Sequence, residues 1–315
     1  MTSIALLGTW HVHADDYCRQ ISEAQDARFA AIWDRASDTD RAEPIASKWG
    51  VELVNDLDVI LADDSIDAVI VADAPATKVA IIRAALERGK HVLTEKVLAP
   101  TVREVDELVA IARANGVILE VAYPFQDRAV VREIDAILAS GVLGTLTFAR
   151  VRLAIDGHTS GWLPERFDDP SQAVFGALGD LGCHAIYLLD HFLSAQAGSV
   201  VSLTSSVLAS QLDDNAVLVA SFPGGAIGVA ETSHVGPPGR LTFVIELSGT
   251  TGTLDFGHAG AGEIRVDAES QTTITVDDDS TFRSVGGWLR HIEEGNPLED
   301  HLVRARRLTQ YLWSD

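Results

Sequence analysis

Over the first 122 residues, short apolar runs alternate with stretches of helical periodicity. Ile4-Ala5-Leu6-Leu7 is an apolar run closed by Gly8, and a helical pattern follows through Tyr17 and Ile21. Phe29 to Trp33 predicts a second strand, closed by Asp34. Ala42 to Trp49 predicts a helix, Glu52 to Val54 a short strand, and Leu57 to Leu61 a helix. Ala68-Val69-Ile70-Val71 is apolar throughout, as a strand buried on both faces of a parallel sheet should be. Val79 to Arg88 predicts a helix stopped by Gly89, His91 to Thr94 a strand, Val102 to Ala114 a helix stopped by Gly116, and Val117 to Val121 a strand. This alternation predicts a doubly wound parallel sheet with right-handed crossovers.

Beyond residue 122 the pattern changes. Ala129 to Ala139 predicts a helix ending at Gly141, Thr145 to Ile155 a long strand, and Ala185 to Phe192 a helix. Strand patterns then follow one another: Val200 to Ala209, Ala216 to Phe222, Ala226 to Ser233, Leu241 to Leu247, Gly252 to Phe256, and short strands to about Val276. Turn signals such as Pro223-Gly224-Gly225 and Ser248-Gly249-Thr250 separate them. Without helices between the strands, the sheet should be large, open and mostly antiparallel. Helices over Trp288 to Glu294 and Leu298 to Leu312 close the chain. The expected fold is α/β, with a doubly wound domain over residues 1–122 and an α+β domain over 123–315.

Composition narrows the partners. The chain has 315 residues, 47% of them hydrophobic, which suits two folded domains. A net charge of −22 speaks against nucleic acid or an anionic membrane surface, both of which need clustered Lys and Arg. The acidity is spread over Asp56, Asp58, Asp63, Asp64 and Asp277, Asp278, Asp279, a pattern of solubility. No apolar run is long enough to span a bilayer. Met1-Thr2-Ser3-Ile4 leads straight into a strand without a basic region or cleavage site, and only Cys18 and Cys183 occur, in no metal spacing. A reducing cytoplasm is the expected location.

Chemistry concentrates in three places. The turn Gly8-Thr9-Trp10-His11-Val12-His13 stands where a dinucleotide fold carries G-x-G-x-x-G, but Trp10 and His13 occupy two glycine positions. Asp34, at the end of the second strand, is placed to accept from a ribose 2′-hydroxyl, which favours NAD; Arg35 beside it can accept a 2′-phosphate, which favours NADP. A loop-start cap is the plain structural role for Asp34. His11 and His13 form an H-x-H pair of the kind metal-dependent barrel hydrolases use, but the strand-rich second half offers no further ligands, so no metal is expected. Glu95-Lys96 lies at the carboxyl end of a parallel strand, where a lysine can stabilise a developing alkoxide; a surface ion pair is the plain alternative. In Gly176-Ala177-Leu178-Gly179-Asp180-Leu181-Gly182-Cys183-His184, Asp180 and His184 are four apart, so a helix starting there puts them on one face. The histidine can move a proton and the carboxylate can orient it; a helix cap and a packing histidine compete with that reading.

The chain resembles the Gfo/Idh/MocA oxidoreductases, which include glucose–fructose oxidoreductase and inositol dehydrogenase. The resemblance rests on Gly89-Lys90-His91-Val92-Leu93-Thr94-Glu95-Lys96, on Ser140-Gly141-Val142-Leu143-Gly144, and on Gly176 to His184. It covers nearly the whole chain. It implies an N-terminal Rossmann domain binding NAD or NADP, a C-terminal domain whose open sheet builds homodimers or homotetramers, and a sugar, polyol or related carbohydrate as substrate. The family's catalytic lysine matches Lys96, its Asp-x-x-x-His matches Asp180 and His184, and its acid after the second strand matches Asp34. Gly8, Thr9, Trp10, His11, Arg35, Ala72, Asp73 and Glu95 fall at cofactor positions. Four departures stand out: the glycine-poor turn, Val97 in place of the usual proline after Lys96, Lys78 where a histidine is common, and a chain that ends soon after Trp313.

Substrate contacts are expected from Tyr123 and Gln126, where the chain leaves the first domain and crosses a cleft, and from His158, Trp162 and Arg166 in the loop before the Gly176 turn. Three functional readings stay open. They are an NAD(P)-dependent sugar or polyol dehydrogenase, an NAD-dependent glycoside hydrolase or lyase oxidising its substrate transiently, and a non-catalytic NAD- or sugar-binding sensor.

Overall fold

The computed structural model describes residues 1–208, 211–257, 262–277 and 283–313. They fall into two compact units, one of residues 1–122 with 283–309 and one of described residues of 123–277 with 310–313.

In the first unit, strands β1 (Thr2–Leu7), β2 (Ala27–Trp33), β3 (Glu52–Val54), β4 (Ala68–Val71), β5 (His91–Thr94) and β6 (Leu119–Val121) form one sheet ordered β3-β2-β1-β4-β5-β6. Every neighbouring pair is parallel. Helices α1 (Ala14–Glu23), α2 (Thr39–Trp49), α3 (Leu57–Ala62), α4 (Pro75–Glu87) and α5 (Val102–Asn115) supply the crossovers. The strand order reverses between β1 and β4, and ligands of doubly wound sheets bind at the carboxyl ends of the strands there. Local chemistry sets the boundaries. α5 opens on a capping box, with Thr101 and Glu104 each closing the other's backbone N–H, and Gly116 ends it in the left-handed region. α4 starts earlier than its apolar spacing predicts, because Pro75 at the first helical position is preorganised for a helix start. That shift brings Lys78 into the first turn of α4.

The first unit also recruits the last two helices, α9 (Val285–Glu294) and α10 (Glu299–Leu312), the latter through Thr309. Here the structure differs from a simple division after residue 122. Val285 and Trp288 are fully buried in the core with Ile4, Tyr17, Ile21 and Ile70, and Leu289 and Ile292 pack against it. Gln20 Oε1 accepts from the backbone N–H groups of Ser284 (2.8 Å) and Val285 (3.1 Å). The apolar stripe of α9 marks it as a packed helix but carries no address for the core that receives it.

In the second unit, strands β7 (Leu146–Ala154), β8 (Ser199–Ser205), β9 (Asn215–Ser221), β10 (Ile227–Ser233), β11 (Thr242–Gly249), β12 (Thr253–Phe256), β13 (Glu263–Asp267) and β14 (Gln271–Thr275) form one sheet ordered β14-β13-β12-β11-β7-β10-β9-β8. All pairs are antiparallel except β7 and β10, which run parallel from Phe148↔Ile227 to Ala154↔Ser233. α6 (Ala129–Ala139), the single turn α7 (Ala177–Asp180) and α8 (Gly182–Leu193) belong to this unit, and α8 packs on β7 and β10. β8 ends at Ser205 rather than at Ala209, which lies outside the described residues. The Asp214 carboxylate draws the chain into a turn there by accepting from the N–H groups of Val207 (2.8 Å) and Leu208 (2.9 Å). Among the described residues no helix is long and apolar enough to cross a membrane.

Candidate active site

The first unit gathers its polar groups at the carboxyl ends of β1, β2, β4 and β5. Gly8 sits at φ +84°, and a Cβ there would come 2.8 Å from Asp73 Cβ, so both backbone conformation and close approach demand glycine. Thr9 donates to Asp34 Oδ2 from its N–H (2.9 Å) and its hydroxyl (2.5 Å), and Arg35 N–H donates to Asp34 Oδ1 (2.8 Å). Asp34 is fully buried. Burial pushes its carboxyl up, against the opposing pull of those hydrogen bonds and of Arg41, whose Nη2 is 3.8 Å away. Arg35 grips Asp73 with both arms of its fork (2.7 and 2.7 Å) and lies 5.4 Å over the Trp33 ring. His11 N–H donates to Ala72 O (3.0 Å). Of the cofactor positions named from sequence, Thr9, Asp34, Arg35 and Asp73 are thus linked by hydrogen bonds, with Arg41 and Thr77 added: Arg41 Nε donates to the Thr9 hydroxyl (3.2 Å) and Thr77 Oγ1 to Asp73 Oδ2 (2.8 Å).

At the end of β5 a second group is more deeply enclosed. Lys96 Nζ lies 3.0 Å from His11 Nε2 and 3.7 Å from Glu95 Oε2, while His11 Nδ1 lies 3.4 Å from Glu95 Oε1. Tyr17 OH donates to Glu95 Oε1 (2.7 Å), and Lys78 Nζ donates to the Glu95 carbonyl (2.5 Å). Burial pushes the Glu95 carboxyl up, but His11 and Lys96 outweigh it and hold it down at about 2. The plain alternative for Lys96, a surface ion pair, does not describe this place: Lys96, Glu95 and His11 side chains are 7%, 2% and 5% exposed. Tyr17 is invisible as a site residue in sequence, where its spacing marks only the core face of α1. Lys78 is legible only as a departure from the family pattern.

A dinucleotide fits this edge at one end and meets an altered cradle at the other. The strand-order reversal, Gly8 and the buried Asp34 at the end of β2 are the features the adenosine half requires. At the turn, the N–H groups of Gly8, Thr9 and His11 already serve Trp33 O, Asp34 Oδ2 and Ala72 O, and Trp10 is buried. The pyrophosphate contacts therefore differ from those of a glycine-rich loop. The His11–His13 pair is split between partners: His11 faces Glu95 and Lys96, whereas His13 Nδ1 lies 2.9 Å from Asp16 Oδ2. No group of three or more His, Cys, Asp or Glu among the described residues is placed to hold a metal ion.

The second unit has its own histidine cluster. The expected single helix carrying Asp180 and His184 is instead two, α7 ending at Asp180 and α8 starting at Gly182. Asp213 holds the entry: its carbonyl accepts from Ala177 N–H (2.7 Å) and its Oδ2 from Leu178 N–H (2.8 Å). A Cβ on Gly176 would fall 2.1 Å from that carbonyl. Asp180 Oδ2 lies 3.2 Å from His234 Nε2, just past the end of β10. The His158 ring meets His234 edge-on at 5.3 Å, and its Nε2 is 3.4 Å from Asp168 Oδ1. Burial pulls the His158 imidazole down. His184 is buried against the Phe125 ring (4.9 Å) and the edge of Tyr123 (6.0 Å).

The expected substrate residues separate. Tyr123 is buried and stacks on Tyr187 at 4.3 Å, and Gln126, half-buried, donates its N–H to Tyr123 O (3.0 Å). Trp162 is half-exposed, its indole N–H on Asp156 Oδ1 (2.8 Å), and Arg166 lies 5.8 Å from the Phe167 ring. His234 is not foreseen from the sequence, and Phe125 only as part of the segment Tyr123-Pro124-Phe125-Gln126. A histidine closing a strand is the only local signal for the first, and an aromatic after Tyr123-Pro124 for the second.

Two family models match the chain in tandem: "Oxidoreductase family, NAD-binding Rossmann fold" over residues 2–123 and "GFO/IDH/MocA C-terminal domain" over residues 131–255. Among curated proteins, trans-1,2-dihydrobenzene-1,2-diol dehydrogenase of Mus musculus is 28% identical over 68% of this chain and 63% of its own length. The 1,5-anhydro-D-fructose reductase of Ensifer adhaerens is 27% identical over 70% of this chain and 66% of its own length. Each match spans just under two thirds of the relative. The D-xylose 1-dehydrogenase (NADP(+)) 2 of Haloferax volcanii is 26% identical over 87% and 84% of the two chains. The same fold occurs in a levoglucosan dehydrogenase solved with NADH and levoglucosan, with a TM-score of 0.84, 18% identity, and 98% and 95% of the two chains covered.

Proposed function

The chain belongs to the Gfo/Idh/MocA oxidoreductase family, and on that premise we propose that it moves a hydride between a nicotinamide dinucleotide and an alcohol carbon of a sugar, polyol or related carbohydrate. The observation that carries this reading is Lys96, a buried amine held by His11 and Glu95 at the carboxyl edge of a parallel sheet. The relatives' names, a diol dehydrogenase, a sugar reductase and a xylose dehydrogenase, support the substrate class. Bound dinucleotide supplies the hydride chemistry. Lys96 holds the substrate oxygen and stabilises its negative charge, and His184 takes the hydroxyl proton in the oxidative direction. Asp180 is a positioning residue paired with His234. Asp34, Thr9 and Arg35 hold the adenosine ribose, and NAD is the preferred form because Arg35 is already engaged by Asp73. The first unit takes the dinucleotide and the second the carbohydrate, with Tyr123, Gln126, His158, Trp162 and Arg166 as its candidate contacts. Cys18 and Cys183, neither in a disulfide, suit a reducing cytoplasm.

The test is a screen of sugars and polyols with NAD and NADP in parallel. Lys96→Ala and His184→Ala each lose about 10²- to 10⁴-fold in kcat and keep dinucleotide binding, read by fluorescence titration. Wild-type turnover in both variants would overturn the assignment. The second unit also leaves Val201, Leu203, Val219 and Ile227 exposed on strands β8 to β10, which supports self-association through this sheet. Leu203→Lys should then lower the mass measured by sedimentation equilibrium to that of one chain; an unchanged mass removes this face from the assembly.

A further inference from the structure

We propose that His11 is a positioning residue for Lys96, accepting a hydrogen bond from the ammonium at Nε2 while its Nδ1–H faces the Glu95 carboxylate. This rests on the reading of Lys96 as the group that holds the substrate oxygen. The hydrogen-bond inventory fixes the direction. An ammonium only donates and a carboxylate only accepts, so a neutral imidazole between them must carry its proton on Nδ1. The distances allow it, 3.0 Å from Nζ to Nε2 and 3.4 Å from Nδ1 to Oε1. The opposite tautomer would satisfy the His13 N–H, 3.3 Å from Nδ1, but would set two donors face to face at 3.0 Å. The bond from the ammonium is charge-assisted and the one from the amide is not, so the first arrangement prevails.

Charge balance points the same way. The groups facing His11 include Glu95 and Lys96 from the end of β5, His13 from its own turn with a ring 5.1 Å away, Tyr17 of α1 through its bond to Glu95, and Lys78 of α4 through the Glu95 carbonyl. With His11 neutral, it offers the Glu95 carboxylate its Nδ1–H rather than a charge, and no second cation stands 3.0 Å from the Lys96 ammonium; Lys78 is the other nearby amine, on the Glu95 carbonyl. Lys96 is pointed along the N–H that His11 accepts. The glycine-poor turn thus acquires a role: between Trp10 and His13, which stand at glycine positions, it carries the His11 imidazole to the lysine.

Two substitutions separate the two ends of the ring. His11→Asn keeps a polar atom near Nδ1 and loses the one at Nε2; His11→Gln places its amide oxygen near Nε2. The readout is the pH midpoint of Lys96 acetylation by limiting acetic anhydride, followed by peptide mass spectrometry on the whole chain with exposed Lys48 as internal reference. Losing a hydrogen bond to a charged group should lower the Lys96 midpoint by about one to two pH units in His11→Asn. In His11→Gln it should stay within about half a unit of the unsubstituted protein. Equal midpoints in all three proteins, or a shift in His11→Gln as large as in His11→Asn, would overturn the proposal. The labelling reads the state of Lys96 without any turnover, so its outcome stands even if no carbohydrate is oxidised. If the enzyme does turn over, His11→Asn should lower kcat, with partial recovery in His11→Gln.

Discussion

The two units each bury a histidine beside a carboxylate, and they do so with different electrostatics. In the first, His11 stands between a carboxylate and an ammonium, so opposite charges compensate each other inside the fold and the Glu95 carboxyl is held down at about 2. In the second, His234 lies 3.2 Å from Asp180, whose side chain keeps 18% of its surface open, and its other ring neighbour is a second imidazole, His158. The first cluster is closed and charge-balanced, which suits a fixed cation. The second has a carboxylate in reach of water and, in His158, an imidazole whose charge is disfavoured by burial, which suits groups that exchange protons.

The largest effect that tests this contrast is structural. The first cluster depends on a unit whose core includes a helix from the far end of the chain. Trp288→Ala should therefore destabilise that unit by about 3–5 kcal/mol in urea unfolding, the range for deleting a buried aromatic. A loss below about 1 kcal/mol would mean that α9 is not integral to it. The next effect concerns the second cluster. His234→Gln removes the charge-capable partner of Asp180 and should cost about tenfold to a hundredfold in kcat on a substrate found in the screen, with dinucleotide binding intact. An unchanged rate would show that Asp180 needs no such partner.

The smallest effect is a slope with pH. His301 Nε2 accepts from Val121 N–H (3.1 Å), and burial pulls this imidazole down to about 3. Between the ordinary histidine value near 6.5 and that depressed value, the unfolded chain binds a proton that the folded one excludes. Stability of the first unit should therefore fall as pH falls, at up to about 1.4 kcal/mol per pH unit. The window from pH 6 to 5 isolates this group from Glu95, whose stabilising ionisation is lost only below about pH 4.5, toward 2. Urea midpoints that fall equally in the parent and in His301→Gln over this window would assign the slope to other groups.

Much of the first unit is legible in the sequence because its signals are local. A buried parallel strand must be apolar throughout, as β4 is, and Gly8, Pro75 and Gly116 punctuate the chain by backbone conformation alone. Glu95-Lys96 and Gly176 to His184 are legible because they are contiguous. What escapes is what depends on distant pairing. Tyr17 reaches Glu95 across 78 residues, and Ser284 reaches Gln20 across 264. His234 meets Asp180 because α7 packs on β10, 54 residues further along the chain by these two side chains' numbers, a contact no local pattern foretells.

The sequence by itself determined the alternating first half, the strand-rich second half, the glycine-poor turn and the residue types available for proton transfer. These follow from periodicity and backbone preference, which act over a few residues. Only the tertiary structure decided which core receives α9, which carboxylate faces which histidine, and that His11 stands beside Lys96. Hydrogen bonds and charge compensation in a buried site are properties of distances between chain-remote groups, and those distances exist only once the strands have taken their order.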